Sequence, residues 1–128
     1  MLNPYIGDAL ADLLCVLAML RLRRLSAANW AAWYHDTPSV MDKVVVCDRT
    51  RVAVSAQRED ICVAPAGLQA AVDAAVAAME DPLARAFVRP SGTEDIVRVY
   101  AEASDAEAAR KLCSKVQELT VQFVDHGV

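Results

Sequence analysis

Arg85-Ala86-Phe87-Val88, then Arg89-Pro90-Ser91-Gly92-Thr93-Glu94-Asp95, then Ile96-Val97-Arg98-Val99-Tyr100-Ala101-Glu102-Ala103, read as strand, polar loop and strand. A loop this short joins neighbouring antiparallel strands, because a parallel pair needs a longer crossover. Working outward, Ser104 and Glu107 spell the S-x-x-E capping box of a following helix. Ala109, Leu112, Cys113, Val116, Leu119 and Phe123 line its buried side. Upstream, Leu68, Ala71, Val72, Ala75, Val76 and Met79 give one apolar face to a helix opened by Pro65 and closed by Asp81-Pro82. Earlier still, Lys43-Val44-Val45-Val46-Cys47 is a β-branched strand with Asp48-Arg49-Thr50 as its turn. Arg51 to Ser55 and Ile61-Cys62-Val63 compete for the next strand. The class is therefore α+β: a mainly antiparallel sheet of about four strands with two helices on one face.

Before Pro38 the pattern differs. Leu10, Leu13, Leu14, Leu17 and Leu20 form a helical stripe with Asp8 as its N-cap. Ser26 opens a second, shorter helix carrying Trp30 and Trp33, and Asp36-Thr37-Pro38 ends it. Two such helices cannot enclose a core. Residues 1–38 are thus expected to be a helical appendage and connector, and residues 39–128 the domain proper. The apolar run Ala9 to Leu20 is interrupted by Asp12 and is shorter than the roughly 20 residues that a bilayer span requires. No membrane association is expected.

Composition narrows the function. The 128 residues are 55% hydrophobic and carry a net charge of -4, which argues against nucleic-acid binding, since that needs a basic surface. Cys15, Cys47, Cys62 and Cys113 form no C-x-x-C pair, so neither a zinc site nor a disulfide framework is expected, and reduced thiols fit the cytoplasm. Asp8 and Asp12 lie on one turn of an apolar helix, and His35 and His126 lack ligand spacing. No metal site is expected in this segment.

The loop is where chemistry concentrates. Pro90 fixes one backbone dihedral, and Gly92 is read as permitting a conformation closed to other residues. A loop so constrained can turn its N–H groups inward around an anion. Ser91 and Thr93 add hydroxyls, Arg89 enters from one strand, and Arg98 approaches from the other. Two guanidiniums, two hydroxyls and backbone donors suit the outer oxygens of a phosphate monoester. The competing reading is an ordinary hairpin in which Arg89 and Arg98 pair with Glu94, Asp95 or Glu102. There is no G-x-x-x-x-G-K-[ST], so this is not a Walker loop.

R-P-S-G-T-E followed closely by R-V-Y-A-E resembles the phosphate-binding loop in the fourth and last domain of the α-D-phosphohexomutases. Asp95 after the glutamate resembles the eukaryotic branch that acts on N-acetylglucosamine phosphates. So do Arg85-Ala86-Phe87-Val88, Pro65-Ala66-Gly67-Leu68-Gln69, and Trp33-Tyr34 with Asp36 and Pro38. Asn3 with Gly7-Asp8-Ala9 and Asp12-Leu13-Leu14 is similar to the helix closing the third domain. Three features depart from the pattern: Pro4-Tyr5 before Gly7, the short Asp81 to Ala84 connection, and Ala64-Pro65 in place of a proline pair.

The resemblance implies part of an isomerase of the phosphomutase type. Such an enzyme moves a phosphoryl group between O6 and O1 of the sugar through a phosphoserine and a bisphosphate intermediate. It implies substrate-phosphate contacts at Arg89, Ser91, Gly92 (through its backbone), Thr93 and Arg98, and an N-acetylglucosamine phosphate as partner. The upstream catalytic domains are the other implied partner. The serine loop, the sugar loop and the D-x-D-G-D-R metal loop have no match here, so no catalytic residue is expected and no cofactor in this segment. Magnesium is implied for the full-length enzyme only. A phosphomannomutase or phosphoglucomutase fragment, and a stand-alone anion-binding module, are the alternatives.

Overall fold

Val97, Val99 and Ala101 alternate with Arg98, Tyr100 and Glu102, so strand β5 (Ile96–Glu102) is buried on one face and open on the other. The structure, a computed structural model, describes residues 8–127. Asn3, Pro4, Tyr5 and Gly7, which bear on the resemblance, lie outside the described residues.

Strand β5 is the centre of a three-stranded antiparallel sheet. On one side it pairs with β1 (Ser39–Val45), and on the other with β4 (Arg85–Pro90). A separate two-stranded antiparallel sheet joins β2 (Ala53–Val54) to β3 (Cys62–Ala64). Both segments that competed for one strand are therefore strands, and they pair with each other. The α+β class and the antiparallel pairing stand as read, with the strands divided three and two.

Helix α4 (Ala106–Asp125) packs along the buried face of the larger sheet, and helix α3 (Leu68–Ala77) packs against α4 and β4. Val44, Val88, Val97, Val99 and Ala101 meet Leu68, Val72, Leu112, Cys113, Val116 and Val124 in one core. Fully burying a Val or Leu stabilises by roughly 1.5–3 kcal/mol, so this set of side chains dominates the domain's stability. Thr120 is also fully buried, and its hydroxyl donates to the Val116 carbonyl 2.8 Å away. That bond removes the penalty of an unpaired polar group.

Two helix starts differ from the sequence reading. The last helix is capped by Asp105, whose side chain accepts from the N–H groups of Glu107 and Ala108 at 2.8 and 2.9 Å. Ser104 instead donates its N–H to Asp81 at 2.7 Å, tying the start of α4 to the turn after α3. Helix α3 begins three residues after Pro65, with Gly67 as its N-cap at a φ of 90°. A β-carbon there would approach Phe123 to 3.0 Å, so the site demands glycine for conformation and for space.

The described residues fall into two compact units, divided between Asp36 and Thr37. In the first, α1 (Ala9–Arg23) starts at Asp8, which accepts the Leu10 N–H at 2.9 Å, and α2 (Ala27–Ala31) starts at a Ser26–Asn29 capping box. Leu20 is buried, whereas Leu10, Leu13, Leu14 and Leu17 are each more than half exposed.

Candidate functional site

The open face of the larger sheet and the loop at its end hold every residue the sequence reading selected. Strand register places Arg89 directly opposite Arg98 across β4 and β5. Both side chains stand on the face away from the core, as do Phe87 and Tyr100, whose rings stack at 4.9 Å. Arg89 reaches Glu59, at 2.8 Å, in the segment between β2 and β3. Both partners are more than half exposed, so the pair is worth at most about 1 kcal/mol and exchanges readily. Arg98 pairs with no carboxylate among the described residues.

Two of the three expected arginine partners are taken by others. Glu102 pairs with Arg85 at 3.0 Å and accepts the Tyr100 hydroxyl at 2.6 Å. That hydrogen bond and partial burial hold the Tyr100 phenol above its ordinary pKa. Asp95 faces Arg49, its carboxylate accepting the Arg49 N–H at 3.5 Å with the guanidinium at 3.8 Å. Among the described residues Glu94 pairs with no cation.

Within the loop, Ser91 is buried at 5% exposure. Its N–H donates to the Ile96 carbonyl at 2.9 Å, closing the hairpin. Its Oγ accepts from the N–H groups of Thr93 and Glu94, each at 3.4 Å, at the weak end of the hydrogen-bond range. Its carbonyl accepts a 2.7 Å bond from Arg49 Nη1. Thr93 is exposed, and the N–H groups of Gly92 and Asp95 have no protein acceptor among the described residues. Gly92 does not have a positive φ, in contrast to the conformation closed to other residues that the sequence reading allowed it; the positive-φ glycines among the described residues are Gly67 and Gly127. A β-carbon on Gly92 would meet nothing within 4 Å, so its want of a side chain leaves the loop backbone open to approach.

Two neighbours of these residues escaped the sequence reading. Arg49, placed in a turn, lies in a 3-10 segment (Arg49–Arg51) capped by Asp48 and braces the loop from behind. Lys43, placed in a strand, lies directly opposite Arg98 in the β1–β5 register. Both contacts join residues more than 40 positions apart, and no local signal announces them. Among the described residues no group of three or more His, Cys, Asp or Glu side chains could hold a metal ion. No helix among them is long and apolar enough to cross a membrane.

This α+β domain with an arginine-flanked hairpin loop matches a known family. Residues 50–119 fit the family model described as phosphoglucomutase/phosphomannomutase, C-terminal domain, and the chain belongs to that family. Its relatives fall in the branch indicated by the residues around the loop. It is 46% identical over 121 residues to phosphoacetylglucosamine mutase 1 of Schizosaccharomyces pombe, covering 94% of this chain and 23% of that protein. The phosphoacetylglucosamine mutase of Mus musculus is 47% identical over 121 residues, covering 94% and 22%. Among solved structures, Aspergillus fumigatus N-acetylphosphoglucosamine mutase in complex with GlcNAc-6P and magnesium superposes with a TM-score of 0.74 at 36% identity, covering 95% of this chain and 22% of that one. The substrate complex of an N-acetylglucosamine-phosphate mutase gives a TM-score of 0.71 at 42% identity, covering 92% and 22%. The chain spans between a fifth and a quarter of the length of these relatives.

Proposed function

We propose that residues 39–128 are the phosphate grip of a phosphoacetylglucosamine mutase, an isomerase that interconverts N-acetylglucosamine 6-phosphate and 1-phosphate. Residues 1–38 are the closing helix of the preceding domain and its connector, and that domain covers the exposed leucines of α1. The reacting serine and the magnesium site belong to upstream domains. The four free cysteines suit a cytoplasmic enzyme.

The observation that carries this reading is Arg98, exposed beside the loop and without a carboxylate partner among the described residues, while Glu102 and Asp95 are held by other arginines. Arg89 exchanges Glu59 for phosphate, Thr93 supplies a hydroxyl, and the Gly92 and Asp95 N–H groups supply backbone donors. Ser91 shapes the loop through its Oγ and keeps its own hydroxyl proton to donate. None of these groups does covalent chemistry. Holding the non-reacting phosphate fixes the sugar, and that remote binding energy orients the reacting hydroxyl.

The test is a chemical-shift titration of the 128-residue chain. N-acetylglucosamine 6-phosphate should bind at about millimolar affinity, roughly -4 kcal/mol, and move the amides of Ser91 to Asp95. N-acetylglucosamine should not. Arg98→Ala removes a charge-assisted contact worth roughly 1.5–3 kcal/mol and should abolish measurable binding without unfolding the domain. If Arg98→Ala stays folded and titrates as the unaltered chain does, the arginine does not hold the phosphate and the phosphate reading is wrong.

A further inference from the structure

The register of the larger sheet puts three cations in one row. Lys43 of β1, Arg98 of β5 and Arg89 of β4 are direct cross-strand neighbours, and all three are exposed on the face away from the core. Like charges placed directly opposite one another destabilise a sheet. Arg89 is relieved by Glu59. Among the described residues, neither Arg98 nor Lys43 has a carboxylate partner.

The nearest acid to Lys43 in sequence does not serve it. One Asp42 carboxylate oxygen accepts the Lys43 backbone N–H at 2.8 Å, and the other accepts Gln117 Nε2 of α4 at 3.1 Å. Both oxygens of that carboxylate are thus engaged, one by the strand backbone and one by the helix, and neither by the Lys43 ammonium group. Lys43 and Arg98 open together onto a groove of about 410 Å³, lined also by Met41, Asp42, Glu94 and Ile96. A dianion in that groove would neutralise the repulsion that the empty sheet tolerates.

We propose that Lys43 is a third cationic contact of the phosphate site, donating from its ammonium group to the face of the phosphate turned away from the Arg89–Asp95 loop. This rests on the phosphate reading of the loop and extends it across the sheet to β1. An ammonium is a compact point charge on a flexible stem, suited to contact an oxygen that the arginine forks leave exposed. The row thereby sacrifices some stability of the empty domain for affinity toward a doubly charged ligand.

Lys43→Met and Lys43→Arg in the full 128-residue chain test it, titrated with N-acetylglucosamine 6-phosphate and with inorganic phosphate. Lys43→Met should weaken both about five- to tenfold, because the contact is to phosphate, and Lys43→Arg should restore most of the loss. The ligand-free Tm of Lys43→Met should equal or exceed that of the unaltered chain, since a like-charge neighbour of Arg98 is gone. A lysine that merely pairs with Glu94 behaves differently: in a Glu94→Gln background Lys43→Met would then leave binding unchanged, whereas a direct contact still loses about five- to tenfold. If Lys43→Met binds within about twofold of the unaltered chain while Arg98→Ala has lost binding, the site stands and Lys43 is not part of it. If the unaltered chain fails to titrate at all, the phosphate reading and this extension fall together.

Discussion

Arg49→Met keeps the apolar stem of the side chain and removes the guanidinium that ties the 3-10 segment to the Arg89–Asp95 loop. What is lost is a 2.7 Å charged hydrogen bond to the Ser91 carbonyl and a 3.8 Å contact with Asp95. The Asp95 side chain is 64% exposed, so that pair contributes at most about 1 kcal/mol. A charged donor on a carbonyl is worth roughly 1.5–3 kcal/mol, and the lower end applies because Arg49 is 29% exposed and water can take its place. The net loss is then about 1.5 kcal/mol. For a unit of this size that lowers Tm by roughly 6–12 °C. Thermal unfolding by circular dichroism measures the global part. Hydrogen exchange at Ser91 and Ile96, whose amides close the loop at its two ends, measures the local part, and about tenfold faster exchange is expected from the same free energy. Phosphate binding should weaken even though Arg49 touches no ligand. An unchanged Tm together with unchanged exchange at Ser91 and Ile96 would refute the bracing role.

Gly67→Ala imposes a left-handed φ of 90° on a residue with a β-carbon and drives that carbon to 3.0 Å from the Phe123 ring. A loss of about 1–3 kcal/mol is expected in urea unfolding, and a variant as stable as the parent would show that α3 shifts its cap freely. Acid should destabilise the domain through Asp81 and Asp125, whose carboxyls are held below the usual range chiefly by backbone N–H bonds from Ser104 and Cys47 respectively. A depressed folded pKa contributes stability that is complete above the unfolded value of about 3.9 and disappears as pH falls through the folded one. The urea midpoint should therefore hold steady from about pH 7 to 5 and fall below about pH 4, less steeply in Asp81→Asn; identical profiles for the two proteins would refute the linkage.

Local chemistry was legible in the sequence. The Pro90–Gly92 hairpin, the β-branched run of β1, the amphipathic faces of α3 and α4, and the caps at Asp8 and Ser26 depend on neighbours a few positions away, so their patterns are written in short windows. The set Arg89, Ser91, Gly92, Thr93 and Arg98 could be assembled for the same reason, since one hairpin brings them together. Where a local rule met a distant competitor, the distant one prevailed. Ser104 has the capping-box spacing, yet its N–H is taken by Asp81 and Asp105 caps the helix. Pro65 suits a first helical turn, but the helix begins after Gly67, where the chain passes close to Phe123. Charge partners were decided by tertiary structure alone. Arg89 found Glu59, Asp95 found Arg49, and Lys43 came to stand opposite Arg98. Those pairings follow from strand register and from where the 3-10 segment docks. Both are set by which valines must face the core, a constraint the folded chain satisfies as a whole.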